Sequence, residues 1–142
     1  MTPQKKVLLV DDDPDLREVL RIVLEDAGYQ VLLAESGPMG MEMTERERPD
    51  LLLLDVMMPE RTEGFHVVWN LRNRDEPYFR DLPIIILTAI HQRTELRFYP
   101  DAKDGTYRAG EYLPVQGFVD KPIESPVLLQ EIERVLSLGG KP

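Results

Sequence analysis

The sequence contains no cysteine, which excludes disulfide bonds, thiolate metal sites and cysteine nucleophiles. It also has no apolar run near the roughly 20 residues that a membrane-spanning helix needs. Near its start only Val7–Val10 follows Lys5 and Lys6, which is too short for a signal peptide. Basic residues are also fewer than acidic ones, with 17 Lys and Arg against 26 Asp and Glu. This balance disfavours nucleic acid and anionic membranes as partners, and we expect a cytoplasmic protein.

The length and composition are those of one globular domain. The chain has 142 residues, of which 42% are hydrophobic and 30% are charged. Its net charge is −9, and residues 1–60 account for −8 of it. Solvated helix faces are the usual cause of such an excess. We therefore expect a single domain over residues 1–142, and we look for functional acids within the first 60 residues.

Short apolar runs alternate with helical patterns along the chain. Most of the runs are nearly continuous Leu, Ile and Val, as in parallel strands buried on both faces. They are Val7–Val10, Val31–Ala34, Leu51–Leu54, Ile84–Leu87 and Phe118–Val119. The alternation predicts right-handed strand–helix–strand units, and hence a parallel sheet with helices on both faces.

The helices are predicted from their caps and from apolar residues at helical spacing. Asp13-Pro14 and Ser125-Pro126 are cap-plus-proline starts, and Gly28 is placed to end the first helix. The predicted helices follow Asp13, cover Met39–Glu47 and Phe65–Arg72, and follow Ser125 as far as Gly139. Their predicted core contacts include Val19 in the first helix and Trp69 in the third.

Two stretches do not show this periodicity. In the first, arginines are interspersed with acids, and we interpret these charged residues as a solvated face. They are Arg72, Arg74, Asp75, Glu76, Arg80 and Asp81. Residues 89–116 contain Pro100, Gly105, Gly110 and Pro114, and also four of the ten aromatic residues. An irregular segment of this length is unusual in a compact domain and is often functional.

Polar residues follow four of the five predicted strands. Asp11 and Asp12, then Asp55, Thr88 and Lys121 stand at these positions. The carboxyl ends of parallel strands line the ligand crevice of an open α/β sheet, so these side chains should meet there. Several carboxylates without sulfur or histidine favour Mg²⁺. A carboxylate nucleophile, a lysine charge and a hydroxyl then suit phosphoryl transfer onto a protein carboxylate.

Four sequence elements together resemble the receiver domain of two-component response regulators. They are Val7–Asp12, Leu53–Pro59, Leu87–Ala89 and Asp120–Pro122, and the similarity extends from about Lys5 to Ser137. The resemblance implies a flavodoxin-like, doubly wound five-stranded sheet of order 2-1-3-4-5. The segment 89–116 occupies the place of the family's fourth helix, which we expect to be atypical or shortened here.

The resemblance also implies a role for each matching residue. Asp55 would be the phosphoacceptor, stabilised with its phosphoryl group by Thr88 and Lys121. Asp11, Asp12 and Asp55 would bind Mg²⁺ (or Mn²⁺), together with the main-chain carbonyl of Met57. The Lys121–Pro122 peptide bond would be cis. Thr88 and Phe118 would form the conformational switch, although Phe118 is equally well explained as a core aromatic.

The remaining implications concern lifetime and partners. Met57 and Ile90 lie two residues after Asp55 and Thr88, where receivers tune hydrolysis of the acyl phosphate. Both are apolar and cannot orient a water molecule, so we expect slow self-dephosphorylation. The phosphodonor would be a sensor histidine kinase or a histidine phosphotransfer protein. The output would be contact with a downstream protein, with a homodimer as an option, and we expect a stand-alone receiver without an output domain.

Two other functions remain as alternatives. A phosphohydrolase of the haloacid-dehalogenase type would use Asp11 and Asp13 in an Asp-x-Asp motif, with Thr88 and Lys121 in the right order. However, Pro14 marks Asp13 as a helix cap, and the Asp55–Pro59 motif would be unexplained. A pseudo-receiver that binds without phosphorylation normally lacks one of the acids or the lysine, all of which are present here. The preferred interpretation is a signalling phosphoacceptor rather than an enzyme.

Overall fold

The computed structural model describes residues 4–55, 63–89 and 115–139, and its centre is a five-stranded parallel sheet. The strands are β1 (Lys6–Val10), β2 (Gln30–Ala34), β3 (Leu51–Asp55), β4 (Ile84–Ala89) and β5 (Gly117–Lys121). Their spatial order is β2-β1-β3-β4-β5, and every neighbouring pair is parallel. The flavodoxin-like fold class predicted from the sequence is confirmed.

Within the described residues, five helices connect and cover the strands. They are α1 (Pro14–Asp26), α2 (Gly37–Glu47), α3 (Glu63–Arg72), α4 (Pro77–Asp81) and α5 (Ser125–Gly139). The predicted cap of α1 is confirmed, because the Asp13 side chain accepts hydrogen bonds from the backbone of Asp15 and Leu16. Gly28 follows this helix with a φ of 100°, a conformation that glycine adopts without strain. Ser36 caps α2, which therefore begins two residues before the predicted start.

The continuous apolar runs are explained by two separate cores, one on each face of the sheet. Alternate residues of each strand point to opposite faces, so every position in a central strand is buried. One core packs the sheet against α2, α3 and α4, and the other packs it against α1 and α5. The buried residues of α5 are Leu128, Ile132 and Val135, as its periodicity predicted.

Two predicted core contacts were wrong. The side chains of Val19 in α1 and Trp69 in α3 are 55% and 38% exposed. Both lie near the edge of their helix's apolar stripe, whereas Leu20 and Val68, which were predicted in the same two stripes, are buried. Periodicity defines the direction of a stripe but not its width.

The charged residues interpreted as a solvated face are mostly exposed, with Arg72 and Arg74 half-buried, but the aromatic residues among them are packed. The short helix α4 lies here, and Phe79 is buried in the core while the Tyr78 hydroxyl donates to the carbonyl of Pro49. The Arg48 guanidinium lies 5.0 Å from the Tyr78 ring centre, within the range of a cation–π contact. Five residues are too few for a helical period to show in the sequence.

The predicted irregular segment and the atypical fourth helix lie almost entirely outside the described residues. The described chain resumes at Val115, and Gln116 joins three parts of the fold. Its side-chain oxygen accepts from the backbone of Ile84 (2.8 Å) and from Arg72 (3.2 Å). Its carbonyl accepts from Arg134 of α5 (2.9 Å). The start of β5 is thereby bonded to β4, to α3 and to α5.

Gly40 lets α2 approach β1 just before the first acid of the predicted site. A Cβ at this position would lie 2.8 Å from Cγ2 of Val10, which is fully buried. We expect Gly40→Ala to lower the free energy of unfolding by about 1–2 kcal/mol, because the overpacking outweighs the better helix propensity of alanine. Urea denaturation measures the change.

The matched control combines Gly40→Ala with Val10→Ala. Removing the valine methyl groups clears the space, so in that background Gly40→Ala should raise the free energy of unfolding. A stabilising effect of Gly40→Ala in the otherwise unaltered protein would contradict the proposed close contact.

Candidate functional site

The carboxyl-terminal edge of the sheet brings four of the predicted site residues together: Asp11, Asp12, Asp55 and Lys121. Asp11 directly follows β1, Asp55 ends β3 and Lys121 ends β5. Strand β1 lies beside β3 at the centre of the sheet, so the two acids are neighbours although 44 residues separate them. The Asp11 and Asp55 side chains are buried, while Asp12 is exposed at the rim.

The charged groups of this pocket are in direct contact. Carboxylate oxygens of Asp11, Asp12 and Asp55 lie within 4.8 Å of one another. The Lys121 ammonium lies 3.1 Å from Oδ1 of Asp55 and 3.9 Å from Oδ2 of Asp11. Among the described residues of the pocket, one lysine faces two buried carboxyl groups.

The surroundings of Asp11 disfavour the charged form of its carboxyl group. Burial raises the pKa of its carboxyl group from 3.8 to about 7, against the lowering effect of the hydrogen bond from the Asp13 backbone. The neighbouring Asp55 carboxylate raises this pKa further, and Lys121 lowers it. Oδ2 of Asp11 is buried and accepts no hydrogen bond from any residue that the structure describes.

The loop between β1 and α1 is held by hydrogen bonds at successive positions. The backbone N–H of Asp11 donates to the carbonyl of Ala34 in β2 (3.0 Å), and that of Asp13 donates to Oδ1 of Asp11 (2.9 Å). From α1, Nη1 of Arg17 donates to the carbonyl of Asp11 (2.8 Å). Arg17 was not singled out from the sequence, because an arginine on an acid-rich helix is ordinarily a surface residue.

The pocket fits a divalent cation. It offers three carboxylates with no nitrogen or sulfur ligand, and one buried oxygen among them has no hydrogen-bond donor in the described structure. Hard cations such as Mg²⁺ and Mn²⁺ prefer this donor set. Such a charge would also offset the repulsion between the buried acids.

The other predicted site residues are placed only in part. Thr88 lies in β4 with its backbone beside Asp120 of β5, but its side chain is not among those described. Phe118 in β5 is half-buried and packs against the core that contains α2 and α3. The Lys121–Pro122 bond is cis, as predicted. Met57 and Ile90 lie outside the described residues.

The fold and the pocket define a class: a doubly wound parallel α/β protein with an acidic, lysine-containing cation site at its carboxyl-terminal edge. None of the helices within the described ranges has the length and apolarity that crossing a bilayer requires.

Comparison with known proteins agrees with this class. A family model described as the response regulator receiver domain matches residues 7–133. Response regulator MprA of Mycobacterium leprae (strain TN) is 41% identical over 131 residues, which cover 92% of this chain and 50% of that protein. The structure of chemotaxis protein CheY4 from Vibrio cholerae matches with 28% identity and a TM-score of 0.74, covering 94% of this chain and 99% of that one. The signal receiver domain of a histidine kinase from Syntrophus aciditrophicus matches with 31% identity and a TM-score of 0.72, covering 94% and 90%.

The chain belongs to the response regulator receiver domain family. Receiver domains are signalling phosphoacceptors rather than conventional enzymes, and they act with histidine kinases. The chain spans about half the length of the curated MprA proteins that it matches.

Proposed function

We propose that this chain accepts a phosphoryl group on Asp55 from a phosphohistidine of a sensor histidine kinase or histidine phosphotransfer protein. The observation that carries the proposal is the position of Asp55. Its buried carboxylate lies 3.1 Å from the Lys121 ammonium and within 4.8 Å of the Asp11 and Asp12 carboxylate oxygens. This environment combines a nucleophile with groups that can stabilise added negative charge.

The proposed reaction is an in-line displacement at phosphorus. A carboxylate oxygen of Asp55 forms a bond to the phosphorus atom, the bond from phosphorus to the donor imidazole nitrogen breaks, and the imidazole takes up a proton. The product is an aspartyl phosphate. Asp11, Asp12 and Asp55 would hold Mg²⁺ (or Mn²⁺), with the main-chain carbonyl of Met57 as a further ligand. When bound, the cation supplies positive charge to the phosphoryl oxygens.

Lys121 and Thr88 would bind the phosphoryl group. The Lys121 ammonium already contacts the Asp55 carboxylate, so it can follow the negative charge as this moves onto the phosphoryl oxygens. The Thr88 hydroxyl would donate to another oxygen, and its movement together with Phe118 would transmit the change to the surface. Phe118 is half-buried beside the core, so its ring lies at the boundary between the core and the surface. A downstream protein or a second copy of the chain would recognise the altered surface.

The phosphohydrolase alternative requires Asp13 to be free for acid–base work. In the structure the Asp13 side chain accepts two backbone hydrogen bonds as the cap of α1, which supports the receiver function instead. The inclusion of Asp55 in the acidic cluster supports it as well.

A phosphorylation time course tests the proposal. One sample of the protein is incubated with acetyl phosphate and Mg²⁺. A separate sample is incubated with p-nitrophenyl phosphate and Mg²⁺. We expect intact-mass spectra to show one added phosphoryl group per chain, dependent on Mg²⁺ and removed by hydroxylamine. The apolar residues Met57 and Ile90 predict slow decay after the donor is removed. Many turnovers of p-nitrophenyl phosphate would instead support the phosphohydrolase, and no modification would support a pseudo-receiver.

A further inference from the structure

We propose that Arg17 is a positioning residue of the phosphorylation site, and that it sets the affinity of the acidic pocket for its cation. The inference rests on the proposed function. Arg17 lies in the second turn of α1, and its Nη1 donates to the main-chain carbonyl of Asp11 at 2.8 Å. It therefore acts on the backbone that joins the two cation-binding acids, without touching the reacting atoms.

The hydrogen bond fixes the peptide unit between Asp11 and Asp12. A peptide group is planar, so the direction of its carbonyl also determines the direction of the following N–H. The Cα atoms of both acids belong to this same plane. Holding the carbonyl of Asp11 therefore restricts the directions in which both carboxylates leave the backbone. These are the two acids that reach the pocket from the β1–α1 loop.

Within the described residues, the other bonds of this loop involve neither the carbonyl of Asp11 nor the N–H of Asp12. The bond from the Asp13 N–H to Oδ1 of Asp11 holds the side chain instead. Asp11 is held on its N-terminal side by its N–H bond to Ala34, and the Asp13 side chain is held by the start of α1. Asp12 is exposed, and its carboxylate enters the pocket from the rim. The Arg17 bond acts at the point between them, where a small rotation of the peptide would move the Asp12 carboxylate most.

The hydrogen bond from Arg17 to the Asp11 carbonyl has a charged donor, and Arg17 forms it with the loop rather than pairing with an acid of its own helix. Arg17 is half-buried, and its donor is used on a neutral carbonyl although acids surround it in sequence at Asp13 and Asp15. Charge-assisted hydrogen bonds are stronger than neutral ones. By contrast, Arg21 on the same helix pairs with Glu18 and Glu25 at the surface. The two arginines thus provide a matched pair, one bonded to the site loop and one bonded only within the helix.

The test compares Arg17→Met with Arg21→Met as the control. Groups that orient metal ligands from outside typically contribute about 10–100-fold to metal affinity. We expect isothermal titration calorimetry to show Mg²⁺ binding to Arg17→Met weakened by about tenfold, with the Arg21→Met dissociation constant unchanged. Acetyl-phosphate labelling should be slowed in parallel at subsaturating Mg²⁺ and recover at high Mg²⁺. Arg17→Lys, which keeps a charged donor, should recover part of the affinity.

A metal-free measurement separates positioning from a general loss of stability. In chelator, amide hydrogen exchange at Asp13, whose N–H donates to Oδ1 of Asp11, should be faster in Arg17→Met than in Arg21→Met, while exchange in the core strands stays equal. Arg17→Gln, a good helix former with too short a reach, carries the same expectations if Arg17→Met does not fold.

Equal Mg²⁺ dissociation constants in the Arg17 and Arg21 variants would overturn the inference and leave the proposed function intact. If the unaltered protein bound no Mg²⁺ and took up no phosphoryl group, the proposed function itself would fail.

Discussion

Asp55→Asn is expected to abolish phosphorylation by acetyl phosphate, with a loss of more than about a thousandfold in the rate of labelling. The substitution keeps the shape of the side chain but replaces the anionic nucleophile by an amide. It also removes the partner of the Lys121 ammonium at 3.1 Å and one of the three acids near the cation site. No other carboxylate in the described pocket is both buried and in contact with this lysine at hydrogen-bond distance, so none can substitute for Asp55.

The matched control for this experiment is Asp50→Asn, at the opposite end of the same strand. The Asp50 carboxylate accepts a hydrogen bond from the backbone of Lys6 at 2.7 Å, at the edge of the sheet remote from the pocket. Asparagine can also accept this bond, and labelling should remain at the wild-type rate. Intact-mass spectra with and without Mg²⁺ measure both variants. If Asp55→Asn were still labelled at a comparable rate, the phosphoacceptor would have been assigned to the wrong residue.

Asp11→Asn is expected to stabilise the metal-free protein by roughly 3–4 kcal/mol at pH 8. The pKa of Asp11 is raised from 3.8 to about 7 in the folded state, chiefly by burial. Between these two pH values the unfolded chain has lost the proton while the folded protein retains it. The free energy of unfolding therefore falls as the pH rises from about 4 to about 7, and the penalty is complete above that range. Asparagine carries no charge and avoids it.

Urea denaturation in chelator at pH 4 and pH 8 tests the sign of this effect. The gain from Asp11→Asn should be present at pH 8 and small at pH 4, where the folded protein keeps the proton and the unfolded chain is only beginning to lose it. Asp12→Asn is the control, because this neighbouring acid is exposed and should change stability by no more than about 0.5 kcal/mol. A gain of equal size at both pH values would contradict the electrostatic origin.

Added Mg²⁺ should reverse the order of stability. A ligand that binds only the folded state stabilises it by mass action, and Asp11→Asn loses one of the ligands that would hold the cation. Oδ2 of Asp11 is buried and accepts no hydrogen bond within the described structure. This one feature explains both why the charge of Asp11 destabilises the metal-free protein and why Asp11 is suited to bind the cation.

The sequence predicted those residues of the site that lie at the carboxyl ends of strands. Asp11, Asp55 and Lys121 each follow a recognisable apolar run, and parallel strands bring their carboxyl ends to one edge. The cis bond at Lys121–Pro122 followed from the family resemblance. The contribution of Arg17 was not visible, because its bond depends on how far α1 lies from the loop that precedes it and not on residue type.

The same distinction applies to the fold. Caps and apolar periodicity act over a few residues, and they correctly located the strands and the longer helices. The burial of Phe79, the exposure of Trp69 and the bonds of Gln116 depend on neighbours from other elements. The arginines and acids around α4 are mostly exposed, as interpreted, but their local pattern did not show that Phe79 packs into the core among them.

By itself the sequence determined which residue types arrive at the carboxyl-terminal edge of a parallel sheet, because strand runs and caps are local properties of the chain. Only the tertiary structure decided how these groups affect one another. Asp11 and Asp55 lie far apart in sequence, and the repulsion between them, the burial that raises the Asp11 pKa and the distance to Lys121 arise only when β1, β3 and β5 are placed side by side. Electrostatic energy depends on separation and on exclusion of water, and both are set by the packing of the whole sheet.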